Sequence, residues 1–336
     1  MHTNPKLHEL AKLWQKGTDF LGVKYAILGG AMTWVSDANL VAAISNAGGF
    51  GVLASGSMNG ELLANEIIKT KMLTQKPFGV NLITLNPALQ ELMDTCIVHN
   101  IKHVVLAGGV PSEHAIKHLK ENGCSVIAFA PALILAKRLV RLGVDALVIE
   151  GSEAGGHIGP VSTSVLAQEI LPEISDQIPV FVAGGIARGE AVTLYLKMGA
   201  AGCQLGTLFV CAEESPAHEK FKQAFIRANS RDAICTTQLD PRFPVIPVRA
   251  IANGGTKKFH EFQRDVIQEY DTQKIDMKDA QLKIEHFWAG SLRRAVIDGD
   301  IENGSLMAGQ SVGMVKKIQS TADIIETLIA EALSQL

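Results

Sequence analysis

Glu150 to Gly159 reads EGSEAGGHIG, four glycines and one histidine in ten residues. Glycine next to His157 lets a ligand approach closely, and an imidazole exchanges a proton near neutral pH. Those are the parts of an acid–base site; the alternative is a loop histidine that hydrogen-bonds its neighbours. Two more clusters, Ala183-Gly184-Gly185 and Gly206-Thr207, follow apolar runs. Backbone N–H groups there can reach an anion, a helix start adds partial positive charge, and the Thr207 hydroxyl can donate. A single phosphate held this way needs no lysine; the alternative is a pair of tight turns with no ligand. Glu150 and Glu153 flank the histidine loop like a carboxylate pair, and Glu150 is read as an acceptor of backbone hydrogen bonds within it. His99, His103, His114 and His118 read as helix-surface or strand-edge residues.

These groups need a scaffold. Short apolar runs recur at Tyr25–Leu28, Gly51–Leu53, Phe78–Leu82, His103–Leu106, Ser125–Ala128, Ala146–Ile149, Val180–Ala183 and Gly202–Leu205. Fully buried parallel strands look like this. Amphipathic stretches lie between them: Asp37–Ala47, Gly60–Leu73, Ala88–His99, Ser112–Asn122, Ala132–Leu142, Ser164–Glu173 and Gly189–Lys197. Ser36 or Asp37, Ser112 and Ser164 suit N-caps, and Gly48, Gly123, Gly143 and Gly199 suit left-handed helix ends. Eight strand-and-helix units predict an α/β fold, a (β/α)8 barrel, rather than a doubly wound sheet. No G-x-G-x-x-G follows the first run, as the doubly wound sheet would want. A barrel carries its site on the loops after the strands and often a phosphate after strands 7 and 8. The glycine clusters fall there, joined by Gly29-Gly30-Ala31-Met32 after strand 1 and Gly108-Gly109 after strand 4.

The texture changes after Arg227. Asp240 to Val248, DPRFPVIPV, has three prolines in nine residues and excludes regular helix. Lys257–Lys283, Trp288–Ile301 and Thr321–Ala332 are helical in pattern. The expected organisation is a barrel from 1–207 and 287–336 with a small helical cap, 208–286, inserted after strand 8. The cap cations Arg242, Arg249, Lys257 and Lys258 are candidates for the phosphates of a ligand, or are solvated surface charges.

With 336 residues, 47% hydrophobic and 19% charged, the chain is long enough for a full core and is not a disordered composition. A net charge of −3 leaves no basic surplus for nucleic acid or an anionic membrane. Five widely spaced cysteines with no C-x-x-C pair suggest neither zinc nor a disulfide framework, so no metal is expected. His2 to Gly17 lacks the apolar core of a signal peptide, and a cytoplasmic location is expected. Ala233-Ile234-Cys235-Thr236-Thr237 is similar to the cysteine loop of inosine-monophosphate dehydrogenases but follows strand 8, not strand 6; a structural cysteine is expected.

EGSEAGGHIG, YAILGGAMTWVS (Tyr25–Ser36), SNAGGFG (Ser45–Gly51), PFGVNL (Pro77–Leu82), VFVAGGI (Val180–Ile186) and VIDGDIENGSLMAG (Val296–Gly309) together resemble one family. It contains the flavin-dependent nitronate monooxygenases and the flavin-type enoyl-acyl carrier protein reductases. The resemblance runs from about Tyr25 to Val315. It implies FMN on the barrel, with the phosphate on Gly184, Gly185, Gly206 and Thr207. Gly30, Ala31 and Met32 would lie beside the flavin ring and Asn81 would contact it. Glu150, Gly155, Gly156, Ala183 and Met307 would also line the cofactor, Gln310 would close over it, and His157 would be catalytic. The reductase branch uses NADH or NADPH to reduce enoyl thioesters in fatty acid synthesis; the monooxygenase branch oxidises alkyl nitronates with oxygen. Trp34 and GDIENGSLMAGQ are closer to the reductases, whereas Gly29 and Ala31 depart from them. The expected partners are a small molecule or an acyl thioester, free or on acyl carrier protein, and a second copy in a homodimer. A flavin-binding protein without turnover is the third reading, and His157 argues against it.

Overall fold

The computed structural model describes residues 5–243 and 247–336, so 244–246 of the proline-rich stretch lie outside the described residues. Eight parallel strands close a barrel: β1 (Ile27–Gly29), β2 (Phe50–Ala54), β3 (Phe78–Ile83), β4 (His103–Ala107), β5 (Ser125–Phe129), β6 (Ala146–Glu150), β8 (Val180–Ala183) and β9 (Gly202–Leu205). All eight predicted runs are strands. Most of their residues are buried, because helices cover the outside and side chains fill the inside. A second, three-stranded antiparallel sheet has the order β10 (Ala233–Cys235), β11 (Val248–Ile251), β7 (Gly156–His157). These strands are too short for any period-2 pattern to mark them in the sequence.

The helix signals hold with small shifts. Asp37 caps Ala38–Asn46 by accepting from Asn39 and Leu40 N–H, and Ser112 caps Glu113–Glu121. Gly48, Gly123, Gly143 and Gly199 all have positive φ. Ser164 is not a cap: that helix is Thr163–Ile174, and the carboxylate of Glu153 takes up its first N–H. Gly51 is needed for close approach, since a Cβ there would overlap the Val41 backbone of the helix packed on β2.

Residues paired in a parallel ladder share a face. Following the register around the barrel from Leu28 to Phe50, Val52 to Gly79, Asn81 to Val105, Ile127 to Ala146, Glu150 to Ala183 and Gln204 back to Leu28 gives one consistent inner face. The floor of that interior is aromatic. His103 meets Phe50 and Phe20 edge-on at 5.2 Å, and its Nε2 lies 2.9 Å from the Phe20 carbonyl. His103 is thus a core residue, not a strand-edge one, and burial holds its imidazole below the usual pKa. Phe20 comes from the second of two N-terminal helices, Pro5–Leu13 and Gln15–Leu21.

Beyond β9 the chain leaves the barrel. The final helix, Thr321–Ser334, packs against Gly189–Lys197 and Ala38–Asn46 and so fills the last helical position of the outer ring. A separate apolar cluster, with Phe243, Val248, Phe259, Val266, Ala280 and Ile284 at its centre, belongs to the excursion between. The excursion holds helices Gly254–Asp271 and Met277–Val296, where the patterns pointed to Lys257–Lys283 and Trp288–Ile301. The break falls at Thr272–Asp276, which has no glycine or proline; Gln273 takes φ +57 and Asp276 caps the next helix. The expected cap boundary at 286 therefore falls inside a continuous helix.

Candidate active site

The inner face carries three polar side chains at the C-terminal ends of the strands: Asn81 on β3, Glu150 on β6 and Gln204 on β9. Asn81 and Gln204 are 6% and 8% exposed. None of the three side chains has a hydrogen-bond partner among the described residues. Their polar atoms remain reachable at the open end of the barrel, where a ligand's donors and acceptors can pair with them. Burial alone pushes the Glu150 carboxyl up to about 8, so it is protonated at neutral pH. The backbone-acceptor role expected of it belongs instead to Glu153, whose carboxylate accepts from Thr163 N and Oγ1 at 2.6 and 2.7 Å.

A testable consequence follows for the cofactor-free protein. The native Glu150 keeps a proton that the unfolded chain releases near pH 4.5. Its contribution to stability is full below that pH and is lost as pH rises towards about 8. Glu150→Gln removes the loss, so its melting temperature relative to wild type should rise between pH 5 and pH 9. Equal pH profiles would show that the carboxyl is well solvated.

Next to Ala183, Gly184 and Gly185 take φ +101 and +73. A Cβ on Gly184 would come 2.8 Å from Thr163 Oγ1, and one on Gly185 2.9 Å from Glu153 Cβ. Only glycine fits, and consecutive positive-φ residues turn backbone N–H groups towards a common point. Beside them, Gly206 precedes the short helix Thr207–Val210. The Thr207 hydroxyl accepts from Gly309 N at 2.9 Å, which leaves its own proton to donate.

The C-terminal loop is drawn onto this corner. Gln310 N donates to Glu153 O at 2.9 Å, and a Cβ on Gly155 would strike the Ala308–Gly309 backbone at 2.6 Å. Met307 belongs to the cap's apolar cluster, and its Sδ lies 3.7 Å from where a Gly156 Cβ would stand. Across the mouth, Ser36 fixes the first loop by donating to Gly30 O and accepting from Met32 N, at 2.9 and 3.0 Å. Met32 Sδ is 3.4 Å from a Cβ placed on Gly206, and Gln204 Nε2 is 3.4 Å from one on Gly30. Ala31 lies between them. Trp34 takes φ +69, a strained conformation for a bulky residue, and the Arg293 guanidinium sits 5.8 Å from its ring centre. His157 is exposed on β7, opposite Val248 of β11.

The structure therefore gathers every predicted cofactor residue and His157 on the strand-end side of one barrel. Sequence reasoning missed Gln204, Ser36 and Glu153. Gln204 had a signal, a polar residue inside the apolar run GCQL; Ser36 and Glu153 stood out only as a cap candidate and as half of a carboxylate pair, and the loop backbone each one holds shows only in the fold.

A family model described as nitronate monooxygenase matches residues 15–103 and 90–331. The chain belongs to the nitronate monooxygenase family. It is an enzyme, an oxidoreductase of that family. The structure of FabK from Thermotoga maritima superposes with a TM-score of 0.83 at 36% identity, covering 94% of this chain and 95% of that one. A Mycobacterium tuberculosis protein named (3aS,4S,5R,7aS)-5-hydroxy-7a-methyl-1-oxo-octahydro-1H-indene-4-carboxyl-CoA dehydrogenase is 29% identical over 95% of this chain and 96% of its own. A probable nitronate monooxygenase of Staphylococcus aureus is 29% identical over 84% and 93%. Family membership fits the barrel and the gathered motifs.

Three of the four cap cations are engaged elsewhere. Arg242 pairs with Asp240 and Asp271, Arg249 donates to Ser152 O and Ala233 O, and Lys258 Nζ is 2.6 Å from Asn303 Oδ1. Lys257 lines a cleft of about 340 Å³ with Asn253, Thr256 and His260. Cys235 is on β10 and exposed, and partial desolvation of its thiol raises the pKa, so the thiol is not activated. Among the described residues, no cluster suits a metal ion and no helix is long and apolar enough to cross a membrane.

Proposed function

We propose that the chain is an FMN-dependent reductase of enoyl thioesters that takes its reducing equivalents from NADH or NADPH. The observation that carries the cofactor is the pairing of a two-glycine cradle with unpartnered Asn81, Glu150 and Gln204 on the inner face. That set fits a long polar molecule with a phosphate at one end. Backbone amides of Gly184, Gly185 and Gly206 and the Thr207 hydroxyl would hold the phosphate. Glu150, Gln204 and Asn81 would meet the hydroxyls and ring, with Ala31, Met32, Met307 and Gln310 beside them. When bound, FMN supplies hydride acceptance from a nicotinamide and hydride donation to a β-carbon.

His157 would donate an N–H to the thioester carbonyl as charge builds there, or deliver the proton that completes the saturated product. The substrate class is favoured by apolar surface around the mouth. Met307 and the cap cluster lie beside Gly156, and Leu85 and Ile134, in the segments after β3 and β5, are 77% and 82% exposed. An acyl chain has use for such a surface and a small nitronate does not. The thioester named for the M. tuberculosis relative is of the same chemical class. This reading includes a cytoplasmic place in fatty acid synthesis, with the acyl group on acyl carrier protein. Nitronate oxidation is the second reading, favoured by Gly29 and Ala31 where the reductases differ. Steady-state assays separate them. NADPH or NADH oxidation driven by crotonyl-CoA supports the reductase; oxygen uptake with propyl nitronate and none of the former reverses the order.

A further inference from the structure

The histidine loop is not free-standing. Gly156 and His157 form β7, which pairs with Arg249 and Val248 of β11, while Cys235 of β10 pairs with Arg249 from the other side. Arg249 therefore lies on the central strand with a paired residue on either side. Its Nε donates to Ser152 O at 2.9 Å and its Nη1 to Ala233 O at 2.5 Å. One guanidinium thus ties the root of the histidine loop to the far strand of the same small sheet. Gly156 stands directly opposite, and opposed residues in an antiparallel pair share a face. Gly156 takes φ +76, a conformation that favours glycine, and a Cβ there would meet Met307 Sδ at 3.7 Å. Ile158 N donates to Pro247 O at 3.0 Å, so the bonds between loop and cap strand continue past the histidine.

We infer that Arg249 is a positioning residue that fixes His157 relative to the barrel mouth, making the geometry of the histidine a property of the cap as well as of the loop after β6. The inference rests on the reading of His157 as the group that meets substrate. A planar guanidinium presents its donors in a fixed fork to two divergent carbonyls, an orientation that the compact, rotatable ammonium of lysine does not hold. Misplacement of a reacting group by about 1 Å costs up to roughly 10²-fold in rate.

The test uses the flavin-loaded enzyme and three variants: Arg249→Lys, Arg249→Ala and His157→Ala. Both Arg249 variants should retain flavin and keep KM for the enoyl thioester, while kcat falls roughly ten- to a hundredfold. Deuterium uptake should accelerate in peptides covering 150–159 and 232–236. Methylguanidinium should restore part of the kcat of Arg249→Ala, and methylammonium should not. Wild-type kcat in Arg249→Lys, with His157→Ala inactive, would overturn the positioning role and leave the reading of His157 intact. Wild-type kcat in His157→Ala would remove both. Unchanged deuterium uptake in both Arg249 variants would also overturn the role, since the clamp would then restrain nothing.

Discussion

His157→Ala should keep its flavin and lose enoyl thioester turnover by roughly 10²–10⁴-fold, the range typical of a positioned acid–base group. The side chain is exposed, and its strand is held through the backbone of Val248 and the Ile158 amide, so truncation leaves the loop's scaffold in place. Exposed substitutions of this kind usually change stability by no more than about 0.5 kcal/mol. The flavin spectrum and melting temperature should therefore match wild type while kcat collapses. A variant that turns over at the wild-type rate would make the histidine structural.

Gly185→Val should lose FMN almost completely. At φ +73 a non-glycine residue costs roughly 1–2 kcal/mol, and a β-branched one is the worst case. The new Cβ would also come 2.9 Å from Glu153 Cβ, on the residue whose carboxylate caps Thr163–Ile174 and whose carbonyl anchors Gln310. The loss should be larger for FMN than for riboflavin, because the damaged corner is the one assigned to phosphate. Gly123→Ala is the control: φ is +80 with nothing within 4 Å, so it carries the backbone strain without touching the cradle. Equal loss of FMN and riboflavin affinity in Gly185→Val would move the phosphate elsewhere.

The barrel was legible because its strands are buried on both sides and several of its helices end near a glycine with positive φ, as at Gly48, Gly123, Gly143 and Gly199. The glycine clusters were legible for the same reason, since their conformations are local. The cap was less so. Its helix Met277–Val296 begins after a break with no glycine or proline, and the pairing of Gly156 with Arg249 joins segments far apart in sequence through very short strands. No periodicity reports such a contact. Charge was the least legible signal of all. Arg242, Arg249 and Lys258 looked alike as cap cations, and only the fold shows that each is already bonded within the protein.

Anaerobic mixing of the yellow protein with NADPH or NADH, followed by crotonyl-CoA, tests the proposed reaction most directly through flavin absorbance. Bleaching by a nicotinamide nucleotide and recovery of the absorbance on adding crotonyl-CoA are the expected results. No bleaching by either nucleotide, with rapid bleaching by propyl nitronate, would contradict the reductase and leave a nitronate-oxidising enzyme in its place.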